Sequence, residues 1–356
     1  MTGFRAYASP ERRAKSRAII ISPTWIGDVL LAFPAVQRLR QVRPELDLTI
    51  LAKPQVAPLW ALNRSVSQVL LLTAGISGSL AAGRLVRAGA FEQAWILPNS
   101  WRSAWIPWLG GVPVRTGSAG QARSFLLTEI VPRPVGSEAL HQTRETARIL
   151  GVDGGESLPP AEVELPGDIS ERMVKELAGF STPRIVLIPG AARGPSKRWP
   201  VERFEEAGRL LAGEFGGSVL VCGAPGERAL CEAVAHRAGG HSWAGRTTIP
   251  EWAALLSLSQ MVLCNDSGGM HLAAAAGATG IALFGVTDPA ITGPWGGRIR
   301  ILRPEGDVSV SRTVGREETR AQCALKSISV ARVMVEARRL LTVSSPEPER
   351  PARSYD

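Results

Sequence analysis

Short apolar runs alternate along this chain with longer segments in which apolar residues return every three or four positions. The runs at 17–22 (RAIIIS), 46–52 (LDLTILA), 69–72 and 93–97 read as strands. Between the first two, Val29, Leu30, Phe33, Val36 and Leu39 share one side of a helix that stops ahead of Pro44. Further helices are expected near 56–62 and 80–90, and one over 138–150 closes this half. After a Gly-, Pro- and acid-rich linker at 151–167 the alternation restarts. Strands are expected at 184–188, 218–222, 261–264, 280–284 and 299–302, and helices near 201–215, 227–238, 249–258 and 269–276. A last helix, 330–341, is expected to pack back on the first half. Strand-helix alternation in both halves predicts two parallel sheets covered by helices. The glycine- and arginine-bearing stretch 110–136 reads as one long loop. Trp101, Trp105 and Trp108 fall on one face of a short helix, a spacing that suits either core or a surface meeting membrane or sugar.

Two breaks in the pattern carry chemistry. In 261–285 (MVLCNDSGGMHLAAAAGATGIALFG) a strand gives way to Asn265, Asp266, Ser267, Gly268 and Gly269 before a helix resumes at Met270 and His271. A small, polar turn at a helix start leaves backbone N–H groups unpaired and positively polarised, which suits phosphate as well as a simple side-chain cap. In 185–200 (IVLIPGAARGPSKRWP) a second strand runs into a glycine loop carrying Lys197 and Arg198, cations suited to a diphosphate. In the first half, Asp28 stands at the mouth of a strand-to-helix turn. By itself it reads as a helix cap; facing a donor site it reads as a general base. Glu227, opening a helix after the turn 223–226, is positioned to accept from a ribose. His271 is more often a packing residue, within reach of a phosphate. Arg115, Arg123 and Arg133 in the long loop are candidate acceptor contacts.

The formal net charge of +9 and a sequence pI of about 10.1 call for an acidic partner. Nucleic acid is disfavoured, because no RNA-binding signature or basic helix interleaved with aromatics occurs and the arginines are scattered. Neither GxGxxG after a first strand nor GxxxxGK[ST] is present, which removes support from dinucleotide oxidoreductases and P-loop hydrolases. The four histidines and four cysteines lack ligand spacing, so no metal or disulfide is expected and the cysteines read as buried thiols. No run spans a bilayer and no signal peptide is visible, so a cytoplasmic protein is expected.

Taken together, the segments SPTWIGDVLLAFPAVQRLR, IPGAARGPSKRWP and NDSGGMHLAAAAGATGIALFG resemble the ADP-heptose:lipopolysaccharide heptosyltransferases of glycosyltransferase family 9, with KRWP similar to the heptosyltransferase II branch. The resemblance implies an α/β GT-B architecture, two facing Rossmann-like domains with the active site between them. It divides the chain into a basic leader (1–16), an acceptor domain (17–160), an ADP-sugar domain (161–328), a C-terminal helix (329–343) and a tail (344–356). It implies inverting, metal-independent transfer of heptose from ADP-L-glycero-β-D-manno-heptose to the lipopolysaccharide inner core (heptosyl-Kdo2-lipid A), with no cofactor. Asp28 then resembles the general base and Lys197 the diphosphate lysine. Glu227 resembles the ribose acid and Asp266 the acid holding heptose hydroxyls, while Ser267, Gly268, Gly269, Met270 and His271 match the phosphate-cradling helix start. Arg198, Arg115 and Arg123 are the acceptor candidates. Partners are a nucleotide-sugar donor and a phosphorylated glycolipid, with peripheral contact at the inner membrane and a monomeric enzyme. Gly269 departs from the larger apolar residue usual there, and Cys323 is what remains of a cysteine-rich stretch. A different family 9 donor or acceptor, or a non-catalytic nucleotide-sugar binder, stays open.

Overall fold

The computed structural model describes residues 16–133, 139–155, 157–306 and 308–343. The expected leader, apart from Ser16, and the expected tail lie outside these. The first sheet contains β1 (Arg17–Ile21), β2 (Asp47–Ala52), β3 (Gln68–Leu71), β4 (Gln93–Ile96), β5 (Val114–Ser118) and β6 (Glu129–Val131). The second contains β7 (Arg184–Ile188), β8 (Ser218–Val221), β9 (His241–Ser242), β10 (Met261–Asn265), β11 (Thr279–Leu283) and β12 (Arg298–Leu302). Every pairing is parallel, in the orders β3-β2-β1-β4-β5-β6 and β12-β11-β10-β7-β8-β9.

Read from its own first strand, each half has the same doubly wound order. Its central strand, β1 or β7, is flanked by strands whose crossovers run in opposite directions, and the crevice beyond that switch point is where open α/β sheets take ligands. β1 and β7 are nearly all-apolar because both their faces are covered. Register puts Ile20 opposite both Ile50 and Trp95, and Leu263 opposite both Leu187 and Ile281.

One buried apolar cluster runs through both halves, joining Val29, Phe33 and Trp60 to Ile188, Met270 and Leu272. The connecting strand of chain stitches them further: Val163 N–H donates to Ala275 O at 3.1 Å and Glu164 N–H to Leu62 O at 2.8 Å. Among the described residues no helix is long and apolar enough to cross a membrane.

Two expectations are corrected. The stretch read as a loop from residue 110 contains β5 and β6, which lack a long apolar run: VRTGS and EIV pair at the sheet edge through their backbones. The final helix, Val330–Val343, does not return to the first half. Val333, Met334, Ala337 and Leu341 pack with Phe204, Leu211 and Leu263 of the second, and Arg338 clasps Glu214 at 2.6 and 2.9 Å. The tryptophan helix, Trp101–Leu109, buries Ala104 and Ile106 but leaves Trp101 and Trp108 exposed. Cys222, Cys231 and Cys264 are buried free thiols and Cys323 is exposed.

Candidate active site

In the first half, β1 ends and the chain turns through Ser22 to Trp25 into the helix Ile26–Val42. Fully buried Trp60 fixes that turn by donating from Nε1 to Ser22 Oγ at 2.6 Å. Asp28 sits half-buried in the helix's first turn, where the unpaired N–H groups favour a negative charge. Gln142 Nε2 donates to its Oδ1 at 2.8 Å, which holds the carboxylate towards the cleft.

In the second half, Asn265 at the end of β10 accepts from Trp199 N–H at 2.9 Å and donates to Pro189 O at 2.8 Å. These bonds pin the loop after β7 against the end of β10. They bring Lys197 Nζ within 2.5 Å of Asp266 Oδ2, which also accepts from Thr287 Oγ1 at 2.6 Å. Both bonds fall on one carboxylate oxygen, and an ammonium carries three protons, so each partner keeps further capacity for a ligand.

Ser267 precedes the helix Gly268–Ala275 in extended conformation, and its Oγ is buried without a hydrogen-bond partner. A buried hydroxyl left unpaired is costly, and an anionic ligand oxygen at this helix start would satisfy it. Gly268 permits a close approach: a Cβ there would stand 3.0 Å from Ile26 Cβ, tighter than ordinary contact. Reciprocally, a Cβ on Gly27 would stand 3.0 Å from His271 Cδ2, so the two helices meet at their positive ends. A Cβ on Gly269 would meet Ile188 at 3.0 Å and Trp252 at 3.1 Å, so a larger residue here needs both neighbours to shift. Met270 is wholly buried and its N–H already donates to Ser267 O at 3.1 Å, so it belongs to the core. His271 is buried as well, and desolvation pushes its imidazole down to about 4, with Asp266 opposing and Lys197 and His141 assisting.

Glu227 lies beyond β8. Its Oε2 accepts from Ala224 N–H at 3.0 Å, and its carboxylate lies over Gly190, where a Cβ would be only 2.2 Å away. Arg198 stands beside it, 3.9 Å from Oε1, and donates to Ala191 O at 3.2 Å. Arg198 lines neither of the two cavities described next.

A cavity of about 570 Å³ lies between the halves, and one of about 160 Å³ joins Asp28 to Lys197, Asp266, Ser267, Gly268 and His271. Trp25, Asp28, Gln142, Arg193 and Arg312 line both. The larger is strongly cationic, with Lys53, Arg133, Arg148, Arg193 and Arg312 on its walls. Arg115 and Arg123 line neither. Arg115 spans to Leu126 O at 2.7 Å and Val112 O at 2.5 Å. Arg123 is fully buried, donating to Ser118 O, Pro98 O and Ser103 Oγ, and burial pushes its guanidinium down to about 10. Both are spent on backbone carbonyls of the first half.

Sequence reasoning passed over Gln142, Glu145, Arg193, Thr287 and Arg312. Arg312, from the second half, forks onto buried Glu145 of the first, Nη2 at 2.6 Å from Oε2. The available signal was Glu145 itself, sharing a face with Gln142 and Ile149 of the helix Gln142–Ile149 at spacings of three and four. Among the described residues no group of three His, Cys, Asp or Glu side chains could hold a metal ion.

Residues 79–320 match the family model for glycosyltransferase family 9 (heptosyltransferase). Lipopolysaccharide heptosyltransferase 2 of Salmonella typhimurium (strain LT2) is 29% identical over 308 residues, 81% of this chain and 88% of that protein. The structure of E. coli ADP-heptose lipopolysaccharide heptosyltransferase II superimposes with a TM-score of 0.79 at 24% identity, over 92% of this chain and 99% of that one. E. coli heptosyltransferase WaaC, solved with ADP, superimposes with a TM-score of 0.69 at 20% identity, over 91% and 99%.

Proposed function

This chain belongs to glycosyltransferase family 9, and from that premise we propose that it is an inverting, metal-independent heptosyltransferase of lipopolysaccharide core assembly. Its donor is ADP-L-glycero-β-D-manno-heptose and its acceptor the inner core, as heptosyl-Kdo2-lipid A. It works as a monomer on the cytoplasmic side, in peripheral contact with the membrane that carries the acceptor. The observation that carries the reading is the shared small cavity, with Asp28 on one wall and the Lys197–Asp266 pair beside Ser267 on the other.

In this reading Asp28 takes the proton from an acceptor hydroxyl as that oxygen bonds to the anomeric carbon of heptose. The bond from that carbon to the diphosphate oxygen breaks, and ADP leaves with the electron pair. Inversion follows from attack opposite the leaving group. Negative charge growing on the diphosphate meets Lys197, the start of the helix Gly268–Ala275 and Ser267 Oγ, preformed donors of the kind that stabilise departing charge. Glu227 accepts from the ribose, and the free Oδ1 of Asp266 accepts from heptose hydroxyls. The cations of the larger cavity suit a phosphorylated sugar acceptor, with Arg133, Arg193 and Arg312 taking the part first expected of Arg115, Arg123 and Arg198.

The test is ADP release from ADP-heptose by the purified protein, with and without heptosyl-Kdo2-lipid A, beside Asp28→Asn. Acceptor-dependent release that disappears in the variant is the expected result. Donor binding without release would send the search to another acceptor, and absence of donor binding would sink the proposal.

A further inference from the structure

Two neighbouring helices of the first half carry a surface that the transferase site does not use. The helix Gly75–Ala88 buries Ser79, Ala82, Gly83 and Val86 and turns Ile76 and Leu80 outward, Ile76 being 74% exposed. The helix Trp101–Leu109 lies alongside it. Leu109 packs at the Gly83 Cβ position, and Arg102 bonds to Ser79 Oγ at 2.7 Å and Gly75 O at 2.6 Å. It turns outward Trp101 and Trp108, 47% exposed in the latter, with Trp105 stacked on Trp101 at 5.3 Å between ring centroids. Phe125, in the turn that packs on this helix, is 71% exposed. Lone exposed apolar residues need no explanation, but two adjoining helices presenting isoleucine, leucine and indoles together form a patch that a partner normally covers.

The charge around the patch says what kind of partner. The two helices themselves contain Arg84, Arg87 and Arg102 and no acid, and Arg84 and Arg87 are exposed on the first. Indoles that bury an apolar body and keep a polar edge wet, framed by arginines, match the boundary of a bilayer with anionic headgroups. The patch also adjoins the larger cavity through the chain: Asn99 and Ser100 line it and Trp101 follows, while Gln121 lines it four residues before Phe125.

We infer that the face formed by Ile76, Leu80, Trp101, Trp105, Trp108 and Phe125 seats this protein on an anionic lipid surface. Docked there, the larger cavity opens at the membrane boundary, so that a glycolipid offers its sugars to Asp28 while its acyl chains stay in the bilayer. The inference rests on the proposed function only for that last step; the seating stands on the patch itself.

The experiment is vesicle co-sedimentation of the full chain, without donor, using phosphatidylethanolamine with phosphatidylglycerol and, separately, phosphatidylcholine alone. Expected is binding to the anionic vesicles that falls by about tenfold in Trp101→Ala/Trp108→Ala/Phe125→Ala, the loss of roughly one well-buried aromatic contact. Arg84→Glu/Arg87→Glu should lose the preference for anionic over neutral vesicles. Unchanged melting temperatures and unchanged ADP release with a lipid-free acceptor oligosaccharide would separate docking from folding and from catalysis. Wild-type binding by the triple variant would overturn the proposal in favour of charge elsewhere on the chain. So would an absence of vesicle binding, or a dimer in sedimentation velocity that the triple variant abolishes, which would assign the face to a second copy. Because vesicle binding is read without donor or transfer, failure of the docking and failure of the transferase reading remain distinguishable.

Discussion

Asp28 and Lys197 occupy opposite walls of one small cavity, and their substitutions should fail in different ways. Asp28→Asn keeps the size and the contact with Gln142 but cannot take a proton. Turnover with donor and acceptor should drop by about 10² to 10⁴, while calorimetric donor affinity stays within a few-fold. Equal loss of both would mean that Asp28 binds or folds rather than catalyses. In the proposed mechanism Lys197→Ala removes a cation from the departing diphosphate, so turnover at saturating donor should fall by about 10² to 10³. It also strands Asp266, which is only 5% exposed, with Thr287 as its remaining partner. A thermal melt should therefore register a destabilisation of about 3 kcal/mol. Near-normal turnover in this variant would remove Lys197 from the mechanism. At this scale the sequence pointed to Asp28, Lys197, Asp266 and Glu227 because each sits beside a strand end and a glycine-containing turn. It misread Arg115 and Arg123, since a one-dimensional pattern displays a cation but not the carbonyls that will claim it.

The loops after β7 and β8 are coupled through the carboxylate of Glu227 and the missing side chain of Gly190. Gly190→Ala would push a methyl group into that carboxylate, and a flexible Glu can swing aside at little cost. The expected outcome is a melting temperature close to wild type with donor affinity weakened about tenfold, the worth of one charged hydrogen bond. Unaltered donor affinity would detach Glu227 from the ribose. Among whole elements, β1, β7 and β10 were legible because strands buried on both faces read as unbroken apolar runs. β5 and β6 were not, because their place depends on backbone pairing of β5 to β4 and of β6 to β5, and on Arg115 and Arg123 tying the intervening turn.

The two halves meet where the helices Ile26–Val42 and Gly268–Ala275 touch nose to nose, with His271 in the contact. Its pKa in the fold, about 4, lies below the ordinary value of 6.5, because burial disfavours the imidazolium. Between those values the unfolded chain binds the proton and the folded chain does not, so stability is full above pH 6.5 and falls as pH drops towards 4. The loss is of order 3 kcal/mol across that window. Denaturant melts at stepped pH should show it, and His271→Gln should flatten the slope over the same range. An equal slope in the variant would assign the effect to other groups.

What the sequence by itself determined was the parallel α/β plan, its two halves and the glycine turns that close their central strands. These follow from local periodicity and from the missing side chains that let a turn at a strand end approach its neighbour closely, as at Gly27 and Gly190. The tertiary structure alone decided what those turns face. Arg312 reaches Glu145 across 166 intervening residues, Gln142 reaches Asp28 across 113, and the final helix settles on the second sheet. Such contacts depend on how the two sheets are set against each other, and that arrangement is fixed by the packing of one shared core, in which no single segment carries the information.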